Sequence, residues 1–269
     1  MTCVVDARGL SYRYPSGRVA LDRIDLHVDH GERVAILGPN GAGKTTLILH
    51  LNGLLRGSGE LEAAGLEVKG ENLGEVRARV GIVFQDPDDQ LFMPTVREDV
   101  AFGPLNLDLE QGEIEARVAE ALTAVRMQAA AGRAPYELSA GERRRVAIAT
   151  VLAMRPRLLV LDEPSANLDP RARRELLDAL EGIDRTMLIT THDLPLAAEF
   201  CERVVILAAG RVVADLPAEE ALADEELLER YDLELPAGFD PAAVERRPRP
   251  GSSGRGRPAV AGALGRGRG

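Results

Sequence analysis

Three features of the sequence predict an α/β fold built on a mainly parallel sheet. Short apolar runs at 33–37, 80–84, 158–161 and 187–190 alternate with stretches of helical period. Strands buried on both faces read as continuous apolar runs, and helices between them cover the sheet. A glycine-rich segment follows the first run and opens a helix, and the third run ends in two carboxylates, Asp162 and Glu163.

Taken in chain order, apolar residues alternate over 20–28, and glycine-rich turns bracket 57–70; both read as antiparallel strands of a small accessory sheet. Between Asp86 and Arg155 no strong strand run occurs. Ile114, Val118, Ala121, Leu122 and Val125 fall at helical spacing, so a helical subdomain over about 86–155 is predicted as an insertion in the α/β core. Strands are expected at 204–208 and 212–216, followed by acidic helical segments to Tyr231. Residues 1–235 then form one domain. From Pro236 to Gly269 proline, glycine, arginine and serine dominate, a composition that buries too little apolar surface to fold alone, so a disordered tail is expected.

The chain has 269 residues and a formal net charge of -10, which sets it apart from proteins that bind nucleic acid by neutralising phosphates. The charge is uneven: seven arginines and no acid lie from Arg246 onward, leaving 26 of the 33 bases against all 43 acids before it. Lys44 and Lys69 are the only lysines, so a lysine inside a motif stands out. Cys3 and Cys201 have no metal-ligand or disulfide spacing, and a reducing compartment is expected. No stretch approaches the ~20 apolar residues of a membrane-spanning helix, and the N-terminus has no leader pattern.

Gly38-Pro39-Asn40-Gly41-Ala42-Gly43-Lys44-Thr45 matches G-x-x-x-x-G-K-[ST] between a predicted strand and a helix that continues through Thr46. Glycines let successive N–H groups turn toward one anion, Lys44 reaches the outer phosphates, and the Thr45 hydroxyl suits Mg²⁺. In such a site Asp162 is expected to hold Mg²⁺ through water, and Glu163 to orient or deprotonate the attacking water. His192 ends another apolar strand, on the side where open α/β sheets bind ligands, and is read as a γ-phosphate contact. Gln85 ends the run at 80–84, and its amide can meet Mg²⁺ or water.

These pieces, with Leu138-Ser139-Ala140-Gly141-Glu142 at a helix start, stand in an order that resembles the ATP-binding cassette (ABC) family over roughly residues 4–231. The resemblance implies a P-loop NTPase with a RecA-like core. It also implies a head-to-tail dimer, read as a homodimer, in which Ser139 and Gly141 reach the γ-phosphate bound at the partner's phosphate loop. Ser139 and Glu142 also form a capping-box pattern, and the two roles are compatible. Ala140 and Glu142 depart from the common Leu-Ser-Gly-Gly-Gln signature: alanine disfavours a positive φ, and glutamate replaces a neutral group. Residues 165–169 match the family's dimer-contact loop. Tyr14 resembles the aromatic residue that stacks on adenine, with Tyr12 as competitor.

Residues 84–92 and 99–106, together with Arg143-Arg144-Arg145 and Thr191-His192-Asp193, are similar to energy-coupling-factor importers, and to their cobalt/nickel branch in particular. Vitamin-importing branches share much of this pattern. The resemblance implies an ATP-hydrolysing subunit at the cytoplasmic face of the membrane, working with a transmembrane coupling subunit and a substrate-binding membrane subunit. Residues 85–92 would dock a helix of the former. A soluble cassette of DNA repair or translation is the rival, but the chain has neither a long heptad run nor room for a second cassette.

Overall fold

A computed structural model describes residues 3–249. Its strands are β1 (Cys3–Arg13), β2 (Val19–Asp29), β3 (Arg33–Leu37), β4 (Ser58–Ala63), β5 (Leu66–Glu67), β6 (Val80–Val83), β7 (Leu158–Asp162), β8 (Thr186–Thr190), β9 (Arg203–Ala208) and β10 (Arg211–Pro217). The α-helices are α1 (Lys44–Leu51), α2 (Leu73–Arg79), α3 (Val96–Leu105), α4 (Gln111–Ala124), α5 (Ala140–Leu152), α6 (Pro170–Glu181), α7 (Leu194–Phe200), α8 (Ala218–Ala223) and α9 (Glu225–Arg230).

The larger sheet has the order β10-β9-β3-β8-β7-β6, parallel except for the β9–β10 hairpin at its edge. Alternate side chains of the central strands enter two different cores. Val34, Ile36, Leu158, Val160 and Leu188 pack with α1 and with residues of β1 and β2. Ala35, Leu37, Leu159, Leu161 and Ile189 pack with residues of α5, α6 and α7. Both faces are thus covered, which is why these runs are apolar without alternation. The smaller sheet, β2-β1-β4-β5, is antiparallel. Its long first strand, β1, shows no clear period-2 pattern in the sequence because bulges at Cys3/Val5 and Ala7/Leu10 break it.

Between β6 and β7 the chain forms α3, α4 and α5. Val96, Val100, Ile114, Val118, Ala121, Leu122 and Val125 are buried there, in one cluster with Val146 and Ile148 of α5. No helix among the described residues is long and apolar enough to cross a membrane.

Residues 236–249 differ from the unfolded segment expected from Pro236. They include a short 3-10 turn at Pro241–Ala243, and the chain then runs along α6 and α7. The acidic body supplies the attraction that composition alone hides. Arg247 pairs with Asp178 at 2.6 Å and Glu181 at 3.1 Å, and Arg249 pairs with Glu202. Arg33, buried over the Phe200 ring at 4.2 Å, donates to the carbonyls of Pro248 and Glu181. Residues 250–269, the rest of the expected tail, lie outside the described residues. Arg247→Ala is expected to cost about 1 kcal/mol, or roughly 2–4 °C in melting temperature for a chain of this size. Differential scanning fluorimetry checks this; an unchanged midpoint would mean that the Arg247 contacts contribute nothing.

Candidate active site

Parallel strands deliver their C-terminal ends to one edge. Ile36 of β3 lies beside Thr190 of β8, Thr190 beside Asp162 of β7, and Leu161 beside Val83 of β6. The loops that follow carry the phosphate-loop residues, His192, Glu163 and Gln85, so four stretches remote in sequence meet at one rim.

The loop after β3 requires glycine for two reasons. Gly38 and Gly43 have φ of +149° and +112°, and a Cβ would lie 2.2 Å from the Leu207 carbonyl oxygen at Gly38 and 2.6 Å from that of Ala20 at Gly43. Gly43 precedes α1 without a side-chain cap, which leaves the first N–H groups of the helix open to an anion. A cleft of about 240 Å³ opens over this helix start, lined by Asn40, Gly41, Ala42, Gly43, Lys44, Thr45 and Thr46 together with Tyr14, Gln85, Asp162 and Glu163. Gly38 and Pro39 are not in the lining; their carbonyls accept from Lys44 Nζ, at 2.6 Å and 3.3 Å. Burial lowers the pKa of Lys44, opposed by Glu163 and Asp162.

Asp162 is buried. Its Oδ2 accepts from the Thr45 hydroxyl at 3.1 Å and its Oδ1 from the Thr190 hydroxyl. Glu163 follows in a left-handed conformation, φ +45°, which costs a non-glycine residue about 1–3 kcal/mol. That turn lets its N–H donate to the Thr190 carbonyl at 2.9 Å and aims its carboxylate back into the cleft. Oε2 lies 2.8 Å from His192 Nδ1, and Oε1 lies 4.0 Å from Lys44 Nζ. His192 is otherwise exposed at the cleft's edge and does not line it.

Of the two tyrosines, Tyr14 lines the cleft, its hydroxyl 3.0 Å from Thr46 Oγ1. Tyr12 packs edge-on against His50, at 4.9 Å between ring centres, and joins the core. Thr45 Oγ1, an Asp162 oxygen and the Gln85 amide offer only hard oxygen ligands beside the anion site. This sparse set fits Mg²⁺, which keeps waters and substrate phosphates as its other ligands.

Ser139 and Gly141 line neither this cleft nor the adjoining one of about 490 Å³, which shares Thr45, Gln85 and Asp162 with it and adds Ala140, Arg143 and Arg144. Ser139 caps α5 by accepting from the Glu142 N–H, and Glu142 accepts from the Ser139 N–H, a complete capping box. Those bonds, then Arg133 and Arg145, hold the Glu142 carboxyl below its ordinary range. Ala140 is the first residue of the helix, so the positive φ that alanine resists is not called for here. Gly141 packs on α6, where a Cβ would lie 2.7 Å from Ala172 Cβ.

Sequence reasoning missed two residues in these walls. Arg18 donates to the Gly41 carbonyl at 3.1 Å; its one signal was its position in the turn after Tyr14. Arg144 reaches Gln85 and gave no signal beyond membership of an arginine run.

The family model described as ABC transporter matches residues 21–166. The chain belongs to this family. This ABC ATPase is 58% identical over 241 residues to an ABC transporter ATP-binding protein of Streptomyces coelicolor, covering 89% of this chain and 93% of that one. It is 48% identical to the energy-coupling factor transporter ATP-binding protein EcfA of Methanothermobacter thermautotrophicus, over 88% of this chain and 78% of the relative. Among solved structures, cbiO1 from Clostridium perfringens, described as part of the ABC transporter complex cbiONQ, superposes with a TM-score of 0.77 at 36% identity, over 88% and 97% of the two chains. The ATP-binding cassette MJ0796, solved as a dimer in a post-hydrolysis state bound to ADP and Pi, gives 0.71 at 27% identity, over 80% of this chain and 99% of that one. Gly43→Ala should abolish nucleotide binding to this ABC ATPase, because the Cβ meets the Ala20 carbonyl and φ is left-handed. Titration with a fluorescent ATP analogue checks it, and near-native affinity would refute the role of the loop.

Proposed function

We propose that the chain is the ATP-hydrolysing subunit of an energy-coupling-factor type importer. It acts at the cytoplasmic face of the cell membrane and powers uptake of cobalt or nickel through a transmembrane coupling subunit and a substrate-binding membrane subunit. The observation that carries the hydrolytic reading is the set Lys44, Glu163 and His192 around one cleft, with Glu163 Oε2 2.8 Å from His192 Nδ1 and Oε1 4.0 Å from Lys44. Likeness to EcfA and to cbiO1 of cbiONQ supports the transporter class. The cobalt/nickel assignment rests further on the pattern at 84–106 and 191–195.

In this reading residues 38–46 bind the phosphates of ATP, with Lys44 leaving the loop carbonyls for the β- and γ-phosphates. Tyr14 stacks on the base. Thr45, Gln85 and Asp162 would hold Mg²⁺, which would supply positive charge beside the phosphates. Glu163 accepts a proton from the attacking water or orients it, and His192, held by that same carboxylate, contacts the γ-phosphate. Ser139 and Gly141 complete the partner's site across a homodimer, so closure around two nucleotides couples hydrolysis to the membrane subunits.

Glu163→Gln keeps the shape and removes the base. It should lower the hydrolysis rate by about 100-fold or more while ATP binding persists and ATP drives the chain into a stable dimer. Phosphate release, nucleotide titration and size-exclusion chromatography with ATP read these three outcomes. A fully active variant would exclude Glu163 as the base.

A further inference from the structure

The run Arg143-Arg144-Arg145 in α5 has no part in the roles assigned above, and its three side chains go to three places. Arg143 donates to the Leu138 carbonyl and lies 3.3 Å from Asp88. Arg145 pairs with Glu175 of α6. Arg144 is 4% exposed, and its hydrogen bonds go to two main-chain carbonyls, Phe84 O at 3.1 Å and Gln85 O at 2.5 Å. Its Nε has no hydrogen-bond partner among the described residues. Burial pushes the guanidinium pKa down, countered by the charges of Asp86 and Asp162.

A buried guanidinium is a costly way to fill space, and an apolar side chain of similar volume packs as well or better. What an apolar side chain lacks is donors aimed at the Gln85 main chain. The same stretch is gripped from a second direction. Gln90 accepts from the Phe84 N–H at 3.3 Å while donating to Ala147 O at 3.0 Å and Thr150 Oγ1 at 2.6 Å, both in α5. The N–H of Phe84 and the carbonyls of Phe84 and Gln85 are therefore all tied to one helix. Arg144 lies just inside the Ser139-capped N-terminus of that helix, and Gln85 lines the cleft of its own Lys44.

We infer that Arg144 is a positioning residue for Gln85: it locks the Gln85 main chain to α5, so that Gln85 takes its place in the Lys44 cleft only when α5 is in its own. The inference rests on the proposed roles of Gln85 and of the α5 N-terminus. It makes α5 a rigid link between the nucleotide in a chain's own cleft and the one its signature end contacts in the partner.

A double-mutant cycle on the full-length chain tests this, with Arg144→Met, Gln85→Ala, the double variant and Arg144→Lys assayed for kcat, KM and affinity for a fluorescent ATP analogue. Arg144→Met should lower kcat about tenfold with less than about a twofold change in nucleotide affinity, and Arg144→Lys, which keeps donors, should recover part of the loss. The double variant should be no slower than Gln85→Ala alone, because both changes remove one interaction. Losses that multiply, or an affinity that falls as far as kcat, would overturn the inference. If Arg144→Met does not fold, the same cycle is run with Arg144→Lys. Were Gln85→Ala fully active and Arg144→Met slow, the positioning role would be refuted while the ATPase reading, tested at Glu163, would stand.

Discussion

The carboxylate of Asp162 joins three elements at the point where the chemistry is assembled. It ends β7, takes the Thr190 hydroxyl at the end of β8 on one oxygen, and takes the Thr45 hydroxyl from the first turn of α1 on the other. A buried carboxylate is tolerated only when its oxygens are satisfied, and here both are. Each carboxylate oxygen has two acceptor sites, so these two bonds join strands and helix and still leave room for a further ligand. The next residue, Glu163, then turns through a strained conformation whose N–H closes on Thr190, so its aim into the cleft depends on the same strand ends.

From that rim two walls hold the site. The phosphate loop is wedged between Ala20 and Leu207, with no room for side chains at Gly38 or Gly43. The wall opposite belongs to α5, which holds residues 84–90 through Arg144 and Gln90 and is itself tied to α6 through Glu175 and Ala172. Gln85 is thereby attached to the helical insertion as much as to the strand it follows. The adjoining larger cleft lies along that same wall.

Charge acts at two ranges in this chain. Within the site, Lys44 is the cation that burial and two nearby carboxylates pull in opposite directions. Along α6 and α7, the surplus of acids gives Asp178, Glu181, Glu199 and Glu202 as partners for Arg247 and Arg249. Each such contact is small when partly exposed, but together with the bonds from buried Arg33 they hold a segment of poor intrinsic folding propensity against the domain.

Local sequence determined what depends on neighbours in the chain. The strand–glycine loop–helix order around Lys44, the apolar runs of the sheet, the period of α4 and the Ser139–Glu142 capping box were all legible, because each is set by residues a few positions apart. Long-range placement lay beyond it. Bulges hide β1, and only the packing shows that Tyr12 sits against His50 while Tyr14 lines the cleft, and that Ala140 begins a helix. Arg144 beside Gln85 and Arg247 beside Asp178 join residues about sixty to seventy positions apart in the sequence. A charged side chain in one dimension carries no mark of its partner, and only the register of the strands and the packing of α5, α6 and α7 decide which carbonyl or carboxylate it meets.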